Sequence, residues 1–235
     1  KCDMLISGGG SLLQDVTSTR SLLYYLFIVK TALFFNKKVM LYANGIGPVS
    51  YEKNRQRIKS VINDVGCITL REEQSLEFLK QMGVNKPQIQ LTADPVLNYE
   101  FSNDELVKKI LSSEAIPMDE DYAAINIRDW KLWGDFESEV AKAADYLYDT
   151  YRIKSIFVPM SKNDINVIDK VRGFMKNESY ALSKCYEPED IIGILSKMKI
   201  VIAMRLHTLI YASINSIPMI GLAYDPKIEG YLEYI

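Results

Sequence analysis

KVMLYANGIGPVSYEKNRQRIKSVINDVGCITLR, residues 38–71, sets the pattern for the whole chain. It opens on a short apolar run at 38–42 and closes on another at 67–70. Between them, residues 53–65 space Ile58, Val61, Ile62 and Val65 as one face of a helix. Strand, helix, strand in that order is a βα unit, and strands joined through a helix lie parallel. The first strand runs into Asn44-Gly45-Ile46-Gly47-Pro48. Two glycines flanking one residue at that edge serve either as plain turn chemistry or as a close backbone approach to a ligand.

The same alternation extends in both directions. Strands are expected at 3–7, 38–42, 67–70 and 88–91, then at 122–127, 155–158, 200–203 and 218–222. Helices are expected at 18–35, 53–65, 72–82, 103–113, 135–150, 164–176, 188–197 and 206–214. The fold class that follows is α/β, with two Rossmann-like domains whose parallel sheets are flanked by helices. Asp94-Pro95 closes one series and Asn103-Asp104 caps the next helix, which divides the chain into domains 1–98 and 99–235. Lys1 is not an initiator, residues 2–7 enter a strand without preamble, and residues 229–235 stop inside a helix. The chain is therefore expected to be an excerpt, with each domain incomplete.

Composition narrows the function. Against 30 Asp and Glu stand 28 Lys and Arg, a formal net charge of -2, so the total charge gives no reason to expect nucleic acid as a partner. A local cationic pocket remains compatible with that total. Cys2, Cys67 and Cys185 lack zinc or redox spacing, and one histidine excludes a His-rich metal site. No metal is expected, and a reducing, cytoplasmic setting is the simplest reading. Residues 21–35, SLLYYLFIVKTALFF, are too short to span a bilayer and carry Lys30. They read as a buried helix. A peripheral contact with the inner face of the membrane, or with a lipid-linked substrate, is the minority reading.

Ligands of open α/β sheets gather beyond the carboxyl ends of the strands. At those ends stand Gly8-Gly9-Gly10-Ser11, Asn44-Gly45, Arg71, Arg128, Met204-Arg205-Leu206-His207 and Tyr224-Asp225-Pro226-Lys227. Four cations and the sole histidine thus fall just past strand ends. The triple glycine permits close approach and presents N–H groups to an anion or a sugar hydroxyl. It is neither a dinucleotide fingerprint nor a Walker loop, and no nucleophile elbow surrounds Ser11. Arg205 and His207 share a ligand only if they bracket a helix start, where the helix dipole also attracts anions. The bland alternative packs His207 beside Tyr211 one turn on. Lys227 opposes the dipole of the helix that Asp225 and Pro226 open, a conflict that a bound anion would resolve. Glu72 and Asp129 are the expected pairing partners if Arg71 and Arg128 are merely structural.

Together these residues resemble the polysaccharide pyruvyl transferase family. The resemblance is carried by Leu5-Ile6-Ser7-Gly8-Gly9-Gly10-Ser11-Leu12-Leu13-Gln14-Asp15 at one end and Tyr224-Asp225-Pro226-Lys227 at the other. Asn44-Gly45-Ile46-Gly47-Pro48, Arg71-Glu72, Ala93-Asp94-Pro95 and Met204-Arg205-Leu206-His207 lie between them. The resemblance implies a glycosyltransferase-B-like fold and transfer of the enolpyruvyl group of phosphoenolpyruvate onto two sugar hydroxyls as a cyclic ketal. Phosphoenolpyruvate is then a co-substrate, no cofactor is needed, and the acceptor is a sugar or lipid-linked glycan of a cell wall or exopolysaccharide. His207 is expected as proton donor. Arg71, Arg128, Arg205 and Lys227 are expected to hold the carboxylate and phosphate, with Gly8, Gly9, Gly10, Asn44 and Gly45 in substrate binding. The rivals are a nucleotide-sugar glycosyltransferase of the same fold and a non-catalytic glycan-binding member.

Overall fold

The computed structural model describes residues 2–99, 103–130 and 134–235. They form two compact units, Lys1–Pro95 and Val96–Ile235. Residues 100–102, part of the expected boundary region, lie outside the described set.

Unit 1 alternates β1 (Met4–Gly8), α1 (Thr19–Phe34), β2 (Lys38–Asn44), α2 (Glu52–Ile62), β3 (Cys67–Leu70), α3 (Glu73–Gln81) and β4 (Gln88–Leu91). Its sheet is parallel, in the order β1-β2-β3-β4. Val39 and Leu41 of β2 and Ile68 and Leu70 of β3 point to one face, where they bury against Leu22, Leu26 and Val29 of α1, Ile58 and Ile62 of α2 and Leu79 of α3. Alternation along a strand sends the intervening side chains to the other face. There Met4, Ile6 and Tyr42 are exposed. The greasy segment 21–35 is largely α1, capped by Ser18, whose hydroxyl accepts the Ser21 N–H. Leu22, Leu26 and Val29 are buried while Tyr24, Phe27 and Phe34 face outward. No helix among the described residues is long and apolar enough to cross a membrane.

The division between the units falls at the start of a 3-10 turn, Pro95–Asn98, and unit 2 takes up the chain from Val96. It runs α4 (Asp104–Ser113), β5 (Tyr122–Asn126), α5 (Phe136–Tyr151), β6 (Lys154–Phe157), α6 (Asp164–Phe174), β7 (Ser179–Ala181), α7 (Pro188–Leu195), β8 (Ile200–Ala203), α8 (Leu206–Ile214), β9 (Met219–Gly221) and α9 (Pro226–Tyr234). All pairings are parallel, in the order β7-β6-β5-β8-β9. Its central strands β5 and β6 are buried on both faces. Ile156 and Val158 join a core cluster with α4, α7 and α8, whereas Phe157 joins a second with α5 and α6. Near-continuous apolar runs such as Ala123-Ala124-Ile125 are what a doubly covered parallel strand requires. The strand order reverses between β5 and β8, since β6 and β7 lie to one side and β9 to the other. Such a switch point opens the crevice in which α/β sheets hold ligands.

Candidate functional site

In unit 1 the segment after β1 zips against the segment after β2. Gly9 N–H donates to the Tyr42 carbonyl (3.3 Å), Gly45 N–H to that of Gly10 (2.9 Å) and Gly47 N–H to that of Leu13 (2.9 Å). Gly9 and Gly10 take φ of +80° and +59° with open space where a Cβ would stand, so their glycine character is conformational. Gly45 is different. A Cβ there would meet Ser11 Oγ at 2.6 Å and Glu72 Oε1 at 2.9 Å, so its glycine character is a matter of room.

β2 reaches Asn44, two residues past the expected end, because it carries a register shift between Leu41 and Asn44. Ala43 there is left-handed (φ 49°), and its N–H is taken by the Thr69 hydroxyl at 2.8 Å. The irregularity re-aims the next side chain, a common use of bulges near functional edges. Asn44 is buried and its amide donates to the Ser7 carbonyl at 2.8 Å, fastening the ends of β1 and β2. Its Oδ1 is buried without a hydrogen bond among the described residues.

Arg71 stands past β3 as expected, but its partner is Asp94 and not Glu72. Its Nη1 lies 2.7 Å from Asp94 Oδ2, with both side chains only 8% exposed. Glu72 instead accepts from the buried Ser75 hydroxyl (2.8 Å), whose oxygen takes the Ile46 N–H at 2.7 Å. The turn 44–48 is thus held from α3. Asp15 performs a similar service at α2, accepting from Ser50 N–H (2.8 Å), Tyr51 N–H (3.1 Å) and the Asn54 amide (2.9 Å). Burial alone would raise the Asp15 pKa, but these donors outweigh it and hold the carboxyl below its ordinary range.

In unit 2 three sequence-predicted residues, Arg128, Arg205 and His207, stand just past the ends of the adjacent strands β5 and β8. Asn126 ends β5, donates to the Val158 carbonyl (2.8 Å) and accepts the Arg205 N–H (3.2 Å), so one buried amide joins the ends of β6, β5 and β8. Arg128 follows β5, with its own N–H 3.5 Å from Met204 Sδ. Arg205 is the N-cap residue of α8, and His207 sits one residue inside that helix, exposed to solvent. The two bracket the helix start as expected. The imidazole lies 6.3 Å, centroid to centroid, from the Tyr211 ring.

The guanidiniums differ sharply in how they are held. Arg205 forms a two-pronged pair with Asp164, Nε to Oδ2 at 3.0 Å and Nη2 to Oδ1 at 2.5 Å, and the Asp164 side chain is 2% exposed. Asp164 also accepts the Met160 and Ser161 N–H groups at 3.1 and 2.9 Å. Much of the charge that was to grip a ligand is therefore already opposed by Asp164. Arg128 has no carboxylate within ion-pair distance among the described residues, and the expected alternative, Asp129, does not pair with it. Its Nη1 donates to the Tyr224 hydroxyl at 3.1 Å, and its guanidinium lies over the rings of Tyr224 (5.3 Å) and Trp130 (5.8 Å). Lys227 occupies the first turn of α9, its N–H capped by Asp225 Oδ1 at 3.0 Å. The side chains of unit 1 and unit 2 thus each gather at the carboxyl edge of their own sheet.

Sequence reasoning missed Ser75, Asp164 and Trp130 as parts of these edges, and it named Asp15 and Tyr224 only within their motifs, without a role. Asp164 carried a faint signal, an acid at the start of a helix that follows a strand. Tyr224 and Trp130 lay beside residues already singled out. Among the described residues no cluster of three or more His, Cys, Asp or Glu could hold a metal.

Comparison with known proteins now adds to the geometry. The sequence profile of the polysaccharide pyruvyl transferase family matches residues 1–226. No curated protein sequence matches the chain. Solved structures share its fold. The UDP-GlcNAc 2-epimerase of Methanocaldococcus jannaschii superposes with a TM-score of 0.66 at 12% identity over 98% of this chain and 64% of its own. The Neisseria meningitidis UDP-GlcNAc 2-epimerase bound to UDP-GlcNAc gives 0.64 at 13% identity, over 97% and 62%. A glycosyl transferase family 9 protein of Veillonella parvula gives 0.51 at 11% identity, over 94% and 81%. The chain therefore spans about three-fifths of the length of these epimerases. At these identities the likeness shows the glycosyltransferase-B-like fold alone.

Proposed function

Because the chain belongs to the polysaccharide pyruvyl transferase family, we propose that it carries the donor half of a site that transfers the pyruvyl group of phosphoenolpyruvate onto two hydroxyls of a glycan. The observation that supports this reading is that Arg128, without a carboxylate partner among the described residues, and the exposed His207 on a helix's first turn follow the adjacent strands β5 and β8 at the switch point. Phosphoenolpyruvate offers a carboxylate and a phosphate, both matched by a guanidinium fork. Arg128 and Lys227 hold these groups. Arg205, engaged by Asp164, braces the unit 2 edge on which the ligand rests, and Arg71, engaged by Asp94, braces the corresponding edge of unit 1.

His207 is the proton donor. It protonates the methylene carbon of phosphoenolpyruvate, making it a methyl group and leaving a cationic centre at the adjacent carbon. One sugar hydroxyl adds there and loses its proton, the C–O bond to phosphate breaks, and the second hydroxyl adds and loses its own proton. One of the two released protons restores His207 and the other leaves with phosphate. No redox step occurs. The acceptor is a sugar or lipid-linked glycan, and within unit 1 the glycines at 8–10 and 45 and Asn44 are candidate substrate-binding positions.

The test is phosphate release from phosphoenolpyruvate by the full-length protein across amino-sugar acceptors. His207→Asn should lower turnover by about 100- to 10,000-fold while leaving phosphoenolpyruvate affinity in place. Full activity of that variant refutes the role. A second reading, transfer from a nucleotide-sugar, draws on the UDP-GlcNAc carried by a structural neighbour. A nucleotide-sugar that raises the melting temperature while phosphoenolpyruvate does not would favour it.

A further inference from the structure

We infer that Tyr224 and Trp130 are positioning residues that fix the Arg128 guanidinium for an anion at the carboxyl edge of the unit 2 sheet. The inference rests on the anion-site reading above, but not on which anion the site takes.

Three strand-end arginines are held in two different ways. Arg71 and Arg205 are fixed by Asp94 and Asp164 at 2.7 and 2.5 Å. A carboxylate orients a guanidinium but also neutralises it, so little field remains for a ligand. Arg128 is fixed by a phenol oxygen at 3.1 Å and by two ring faces at 5.3 and 5.8 Å. These groups are neutral. Ring quadrupoles and a hydroxyl dipole steady the cation while leaving its full charge outward. The two rings also contact each other, with centroids 4.6 Å apart and planes 55° apart, so they form one unit and not two separate neighbours.

The arrangement also ties together two strand ends. Trp130 follows β5, whereas Tyr224 follows β9 and leads directly to Asp225 and Lys227. Arg128 is thereby registered against the segment that carries the second proposed cation. A fork held at a fixed angle presents two parallel N–H donors to a carboxylate or phosphate. A lysine in its place would be a point charge with no plane to stack.

The experiment is calorimetric titration of the full-length protein with three probes, namely phosphoenolpyruvate, UDP and inorganic phosphate. Tyr224→Phe keeps the ring and deletes only the hydrogen-bond acceptor. It should weaken the probe that binds best by about three- to tenfold with an unchanged melting temperature. Tyr224→Leu and Trp130→Leu should weaken it further, and Trp130→Phe should recover part of the Trp130→Leu loss. Should the leucine variants fail to fold, Tyr224→Phe alone decides. If phosphoenolpyruvate binds and every variant matches the wild type, this inference falls and the pyruvyl reading stands. If UDP binds, phosphoenolpyruvate does not, and Tyr224→Phe weakens UDP, this inference stands and the pyruvyl reading falls. Binding of none of the three to the wild type overturns both.

Discussion

Arg205 closes a two-pronged ion pair on Asp164, with both carboxylate oxygens engaged and the acid side chain 2% exposed. Because Asp164 also receives N–H groups from Met160 and Ser161, and the Arg205 N–H goes to Asn126, the pair locks the ends of β5, β6 and β8 around the helix start that bears His207. Removing one member of such a pair leaves a buried charge without its counterpart. Asp164→Asn and Arg205→Gln should each lower unfolding free energy by about 3 kcal/mol, read by denaturant titration. Arg205→Lys should recover little, because an ammonium cannot reproduce the fork. If instead Arg205→Gln leaves stability unchanged and weakens donor binding, Arg205 is a ligand residue after all.

Two glycines in the same turn system should lose stability for different reasons. Gly45→Ala drives a methyl into Ser11 Oγ and Glu72 Oε1, at 2.6 and 2.9 Å, and should destabilise by about 1–3 kcal/mol as an overpacked site. Gly9→Ala meets nothing within 4 Å and bears only the cost of its φ of +80°, about 1–2 kcal/mol. A loss of acceptor affinity for Gly9→Ala beyond what its small stability loss explains would mark the turn as a ligand surface. Equal behaviour of the two variants in both assays would argue that it is only a turn.

Asp15 makes stability depend on pH with a defined sign. Its carboxyl titrates below its ordinary range in the folded protein, so the ionised form is favoured by folding. That contribution is present above the unfolded-state pKa of about 3.9 and is lost as pH falls through the lower folded value. The stability gap between wild type and Asp15→Asn should be full at pH 7 and close below about pH 4. A gap that stays constant across that range would show that Asp15 contributes packing, not charge-assisted capping of α2.

The secondary structure was legible wherever apolar runs were long enough to declare themselves. All eight expected strands are present, and β2 was underestimated only because its bulge at Ala43 lets pairing resume at Asn44. β7 was not expected. Ser179-Tyr180-Ala181 is a three-residue edge strand between Glu178 and Leu182, too short to show a period. The residues at strand ends could be named from topology, because a parallel sheet delivers every carboxyl end to one edge. Their partners could not. Asp94 and Asp164 lie 23 and 41 residues from the arginines they hold, and nothing in the sequence couples either acid to its arginine. The difference between a neutralised arginine and an aromatic-braced one appears only when side chains are placed.

Among the described residues β1 is an edge of its sheet, with its own Met4 and Ile6 exposed and hydrogen bonds to β2 on one side only. A rim of this kind is a template for foreign chains, since its idle amides and carbonyls will accept any extended segment that comes near. Produced at high concentration as residues 1–235 alone, the protein is expected to stick to itself through this rim. Replacing Ile6 with lysine should keep it dispersed in light scattering without disturbing the chemistry of unit 2.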